Sequence, residues 1–195
     1  MTNQSRGLMQ STKNEKILAA AISLFGRLGF DKTTTQAISQ EAGIATGTLF
    51  KYYESKEELI LAAYVDAKMS LIGALKQDLD PELEFEGIMR HIWDRSIDWL
   101  LANPEQHKFM EQVKSSRFAA NAASDRLRQE FLFLFIAIKG AQDAGKVAEL
   151  PQALIEQIIS SFLNLAVNYI TNFDENRAKT KDDLLKILFK SLKPD

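Results

Sequence analysis

The sequence predicts an all-α protein, with a compact three-helix unit at the N-terminus, a larger helical body after it and about nine helices in total. Three observations predict this. Apolar residues recur at three- and four-residue spacing along most of the 195 residues, which is the period of one helix face. Only 4 prolines and 9 glycines interrupt the chain. Alternating apolar and polar segments bounded by turn residues, the mark of a sandwich or barrel, are hard to find.

The elements follow in order. Thr12-Lys13-Asn14-Glu15 has the pattern of a capping box, and Ile17, Ala20, Ala21, Leu24, Phe25 and Leu28 then repeat at helical spacing up to Gly29. Thr33 or Thr34 is placed to cap a short second helix carrying Ala37, Ile38 and Ala42, which Gly43 ends. A third short helix is expected over 46–53. Ser55-Lys56-Glu57-Glu58 is another capping box, opening a long helix through Leu59, Ala62, Ala63 and Met69 toward Leu75. Asp80-Pro81 breaks the pattern. Phe85, Ile88, Met89, Ile92, Trp93, Ser96, Trp99 and Leu100 form the next stripe, and Asn103-Pro104 starts a helix with Phe109, Met110 and Val113. After a small-residue linker over 117–124, Leu127, Phe131, Leu134, Phe135 and Ile138 mark a helix ending near Gly145. Pro151 begins another, with apolar residues on two adjoining faces, and a polar turn over 174–180 precedes a last helix with Leu184, Leu185, Leu188 and Leu192.

Composition sets outer limits. With 46% hydrophobic and 26% charged residues the chain can bury one or two cores and is not a disordered tail. The absence of cysteine excludes a disulfide scaffold, a thiolate nucleophile, an iron–sulfur cluster and cysteine-bound zinc. Residues 1–10 are polar and lack the apolar core of an export signal, so the chain is expected to stay in the cytoplasm. The longest unbroken apolar run, 131–138, falls well short of the roughly 20 residues a spanning helix needs, so no membrane partner is expected. Net charge is −2, yet up to Lys56 there are seven bases against four acids, a mild basic bias that fades if the boundary is moved to Ile60.

Two short helices joined by a tight turn at Gly43, with a longer first helix packed beneath them, make a helix-turn-helix arrangement. The major groove of B-DNA admits one such helix, and the outer face of the third would meet base edges. Thr46, Thr48, Lys51, Tyr52 and Lys56 supply hydroxyls and ammonium groups suited to phosphate oxygens, and Gly47 lets a backbone approach closely. Solvated surface lysines and a capping role for the run Thr33-Thr34-Thr35-Gln36 are the plainer alternatives.

In these segments the first 60 or so residues resemble the TetR family of bacterial transcriptional regulators. The resemblance is carried by Ile17-Leu18-Ala19-Ala20-Ala21 through Leu24-Phe25, by Gly29-Phe30-Asp31-Lys32-Thr33-Thr34 and by Ile38 with Ala42-Gly43-Ile44. It continues in Gly47-Thr48-Leu49-Phe50-Lys51-Tyr52-Tyr53 and Ser55-Lys56-Glu57-Glu58-Leu59. It implies a flexible tail over 1–12, a DNA-binding domain over 13–60 and a ligand-binding and dimerisation domain over 61–195. By the same resemblance Gln36, Thr46, Gly47 and Lys51 would approach bases, while Thr34, Thr35, Thr48, Tyr52 and Lys56 would hold phosphates. Two departures stand out. Ala45 occupies a position where a capping Ser is common, which would leave Thr46 to cap the third helix, and Phe50 replaces a frequent Tyr.

In the body, Trp93, Phe109, Met110, Phe131 and Phe135, with Asn164 and Asn168 as polar contacts, are expected to line a pocket for a small apolar effector; packed core is the alternative for each. The last two helices carry more apolar surface than one packing face requires, which predicts a homodimer through them and a palindromic double-stranded DNA operator. Repression relieved by effector is the sign the resemblance implies. No cofactor is expected. His91, Asp94 and Asp98 share a helix face, and His107 with Glu111 is an i, i+4 pair; those spacings permit a metal, but a solvated polar face is the expected reading. No phosphate-binding loop, dinucleotide fingerprint or H-E-x-x-H motif is present, so an enzyme is not expected. The competing functions are a DNA-organising protein without an effector and a helical carrier or small-molecule enzyme.

Overall fold

A computed structural model describes residues 3–122, 125–173 and 176–194, with side chains from Thr12 onward. Among the described residues there are nine α-helices and no strand: α1 (Asn3–Leu28), α2 (Thr35–Glu41), α3 (Thr46–Leu49), α4 (Lys56–Lys76), α5 (Phe85–Ala102), α6 (Pro104–Lys114), α7 (Asp125–Asp143), α8 (Gln152–Phe173) and α9 (Arg177–Ser191). They form two compact units. Unit 1 comprises Met1–Ser70 and Asn103–Leu127; unit 2 comprises Leu71–Ala102 and Arg128–Asp195.

In unit 1, α1 buries Ile17, Ala21 and Phe25 completely, the stripe its sequence spacing predicts. The helix begins at Asn3, so the Thr12–Glu15 box lies within it and not at its start. Gly29, at φ +81°, ends it in the left-handed region that an L side chain avoids.

Helix α6 packs on α1, which places Phe109 and Met110 in unit 1 and not in the body where the chain order suggested them. Gly26 is the reason the two helices can meet so closely. A Cβ at that position would lie 2.3 Å from the carbonyl oxygen of Glu105, inside any tolerable contact. Phe109 stacks on Phe25 with ring centroids 5.7 Å apart, and Phe30 meets Phe25, Phe109 and Phe118 edge-on. Four rings thus knit α1, the loop after it and α6 into one core.

In unit 2, α5 packs against α8 and α9, and α8 against α9. Met89, Ile92, Trp93, Ile97 and Leu100 of α5 meet a buried stripe of Ile155, Ile159, Ala166, Val167 and Ile170 on α8 and Leu185 and Leu188 on α9. The Trp93 indole N–H donates to the Lys181 carbonyl at 2.9 Å, so this large ring is both buried and satisfied. Gln142 closes the turn between α7 and α8 by donating to the Ala148 and Leu150 carbonyls at 2.9 and 3.0 Å.

One expectation about membranes needs correcting. By length and composition α8 could cross a bilayer, with a mean hydropathy of 1.3 in its most apolar window. Unbroken runs missed it because Ser160, Ser161, Asn164 and Asn168 interrupt the apolar residues without adding charge. One stripe of it packs within unit 2 and 28% of that window is buried; length and apolarity alone do not mark it as a membrane span.

Candidate nucleic-acid interface

The short helices are held by their own local chemistry. Thr34 is the N-cap of α2, its hydroxyl accepting from the Ala37 N–H at 3.1 Å. Thr33 turns inward instead, with Oγ1 lying 2.8 Å from the Gly29 carbonyl and 3.2 Å from that of Leu24, so it fastens the end of α1. Gly43, at φ +67°, makes the turn between α2 and α3. Ala45 is the N-cap of α3 and makes no side-chain cap, so Thr46 is the first residue of the helix and not its cap. Beyond Leu49 the chain continues in tightened turns as far as Tyr53, with Lys51 N–H bonded to the Thr48 carbonyl and Tyr52 N–H to that of Leu49.

One side of this pair is anchored. Ile38, Ser39, Ala42, Leu49 and Tyr53 are buried, and the Tyr53 hydroxyl donates to Asn14 Oδ1 at 2.6 Å. Burial pushes the Tyr53 phenol up to about 12, which keeps it neutral and able to donate. Half of the Ser55 box forms as the sequence predicts, with Ser55 Oγ accepting from the Glu58 N–H at 3.1 Å, while the Glu58 carboxylate accepts at 2.6 Å from the N–H of Glu54, one residue before the cap.

The other side faces outward. Thr34, Gln36, Gly47, Phe50 and Lys51 are exposed, and Thr35, Thr46, Thr48, Tyr52 and Lys56 are half-buried among them. A Cβ on Gly47 would meet nothing within 4 Å, so the chain's own packing does not require glycine there. Lys56 has an internal partner that sequence reasoning did not supply: its ammonium donates to the Phe30 carbonyl at 2.5 Å, tying the start of α4 to the loop after α1. Spacing carries no signal for that bond, since it spans 26 residues.

Residues 17–63 match the family model described as bacterial regulatory proteins, tetR family. Over these residues the chain is similar to the DNA-binding segment of the TetR family. The match covers the anchored and outward faces just described and stops within α4. An HTH-type transcriptional regulator of Bacillus subtilis (strain 168), YerO, is 37% identical over 70 residues, which span 34% of this chain and 24% of YerO, so only about a quarter of that relative is covered. The HTH-type transcriptional regulator RutR of Escherichia coli (strain K12) is 26% identical over 166 residues, covering 82% of this chain and 76% of RutR. Both are named as regulators, not enzymes. A TetR family transcription regulator from Marinobacter aquaeolei VT8 has the same fold, with a TM-score of 0.83 and 19% identity over 95% of this chain and 97% of that one.

The expected pocket residues are divided between the two units. Phe109 and Met110 are core residues of unit 1, and the other five lie in unit 2. There Trp93 is buried, Phe131 and Phe135 are half-buried with ring centroids 6.4 Å apart, Asn164 is half-buried and Asn168 is exposed, its carbonyl accepting from Asn172 at 2.8 Å. Two open grooves in unit 2 are lined by other residues. One is charged, with Arg90, Asp94, Asp98, Arg177, Lys181 and Asp182 around about 750 Å³; the other, about 400 Å³, is mainly apolar, with Leu83, Phe85, Ile88, Ile136 and Gly140. The polar face considered for a metal is occupied by protein contacts. His91 Nε2 lies 3.1 Å from the Leu75 carbonyl and Asp98 pairs with Lys181 at 2.7 Å.

Proposed function

We propose that this chain is a dimeric, sequence-specific transcriptional repressor that acts in the cytoplasm, binds a palindromic operator and is released from it by a small, largely apolar effector. The outward face of α2 and α3 carries this reading. Its inner residues fix the helices on α1, leaving Lys51, Gln36 and Gly47 exposed beside Thr46, Thr48 and Tyr52. Gln36, Thr46, Gly47 and Lys51 approach base edges; Thr34, Thr35, Thr48, Tyr52 and Lys56 hold phosphates. Thr34 reaches the backbone from a cap position, where its hydroxyl hydrogen stays available while its oxygen accepts from Ala37.

Dimerisation is supported by unit 2. Leu154, Leu165, Tyr169 and Phe173 on α8 and Ile187 on α9 are 43–72% exposed, more large apolar surface than a monomer commonly leaves in water. A two-fold pairing of these helices covers it and sets two reading heads about 34–36 Å apart, one turn of DNA. The effector site lies in unit 2 near Phe131, Phe135, Trp93 and Asn164, without Phe109 and Met110. Effector that binds one head separation better than the other shifts DNA affinity by the difference.

The test is selection of duplexes from a randomised pool, followed by affinity measurement over a range of salt. A palindromic site is expected, with log affinity falling linearly in log salt. Lys51→Ala, at an exposed position, is expected to weaken binding and flatten that slope; Lys56→Ala is a poorer probe because it also breaks the bond to Phe30. Failure to enrich any duplex overturns the regulator reading. A chain that sediments as a monomer at micromolar concentration overturns the dimer.

A further inference from the structure

Phe50 has no part in the contacts assigned above. It is 47% exposed, at the C-terminal end of α3, and stands outside the four-ring cluster that holds unit 1 together. We propose that Phe50 reads the C5-methyl group of a thymine in each half-site, so that the operator carries an A·T pair opposite the end of α3. This inference rests on the DNA reading of the α2–α3 unit.

The chemistry of the ring narrows its partner. A phenyl group neither donates nor accepts a hydrogen bond, so a phosphate oxygen gains nothing from it, nor do the polar atoms of a base edge. The major groove offers one apolar group that varies with sequence, the thymine methyl. The position of Phe50 then gives it access. It follows Thr46 by four residues and Gly47 by three, so the three residues share one ridge of the helical turn. Gly47 puts no side chain between that ridge and a base, and Lys51, exposed beside Phe50, is assigned to the base edges on the same side. Leu49 and Tyr53, on either side in sequence, are buried and fix the turn that carries the ring. Covering the exposed ring with a methyl removes apolar surface from water on both partners.

The experiment uses the full chain and the half-site obtained by duplex selection. Each thymine in the selected duplex is replaced singly by deoxyuridine, which deletes the methyl and keeps the base pair. One thymine per half-site is expected to weaken binding by roughly fourfold when replaced, the value of one buried methyl-sized group, while the remaining thymines tolerate uracil. In Phe50→Ala, the thymine–uracil difference at that position is expected to vanish while the salt slope is retained. Tolerance of uracil at every position overturns the proposal and places the ring against deoxyribose. So does discrimination that survives in Phe50→Ala, or a selected site with no thymine. If no duplex is selected at all, the DNA reading itself fails and this inference with it, a result distinct from specific binding that ignores the methyl.

Discussion

The two units treat their large apolar residues differently. Among the described residues, unit 1 leaves Leu28 and Phe50 exposed as large hydrophobics, whereas unit 2 exposes Leu132 and Ile136 on α7, four residues on α8 and Ile187 on α9. Unit 1 closes its core within one chain, through four stacked and edge-on rings and the tight approach at Gly26. Unit 2 leaves an apolar face along α8, at positions 154, 165, 169 and 173. A unit that must hold two short helices at a fixed angle needs a finished core. A unit that pairs with a twin needs an unfinished one.

The sharpest break of this comparison is a pair of ring deletions. Phe109→Ala removes a fully buried ring stacked on Phe25 and is expected to destabilise by about 3–5 kcal/mol in urea unfolding. Phe173→Ala, at a residue 72% exposed, is expected to change monomer stability by less than about 0.5 kcal/mol and to act instead on self-association. A pair of glycines makes the next test. Gly26→Ala drives a methyl into the Glu105 carbonyl and is expected to cost about 3 kcal/mol. Gly140→Ala on α7 meets nothing within 4 Å and is expected to stabilise by about 0.5–1 kcal/mol, because glycine disfavours a helix interior. Opposite signs in thermal unfolding would support the contrast between the units.

Alkaline titration of two buried phenols probes unit 1. Burial pushes the phenols of Tyr53 and Tyr64 up to about 12 from 10.0. Between those values the unfolded chain loses its phenolic protons first, so the folded state binds more protons and stability falls as pH rises. The contribution is complete below pH 10 and lost through pH 12. At pH 10.5 the loss is expected to be about 1 kcal/mol per tyrosine, read as a falling urea midpoint that flattens in the Tyr53→Phe, Tyr64→Phe double variant.

What was legible in the sequence was local. Thr34, Ser55, Gly29 and Gly43 act within a few residues of themselves, so their caps and turns could be read directly. The start of α1 was misplaced because a capping pattern also fits inside a helix when nothing upstream breaks it. The partners of Gly26, Lys56 and Phe109 lie tens of residues away, so neither the docking of α6 on α1 nor the bond to Phe30 had a local signal. Pocket residues carry no local signal of their own, because apolar spacing is the same for a ring that fills a core and one that lines a cavity.

The smallest effect concerns the one helix start in the helix-turn-helix pair that has no side-chain cap. Ala45 already has the extended backbone of an N-cap, at φ −69° and ψ 143°, while its side chain accepts nothing. Ala45→Ser supplies an oxygen to the N–H groups of Gly47 or Thr48 without moving the backbone. The gain is expected near the low end for such caps, about 0.5 kcal/mol. The reason is that α3 has only four residues and is held chiefly by the burial of Leu49 and Tyr53. Thr34→Ala, which removes the working cap of α2, should cost about 1 kcal/mol by the same measure. If Ala45→Ser instead destabilises the chain, the start of α3 is constrained by a contact of Ala45 itself, and the cap is not the missing element.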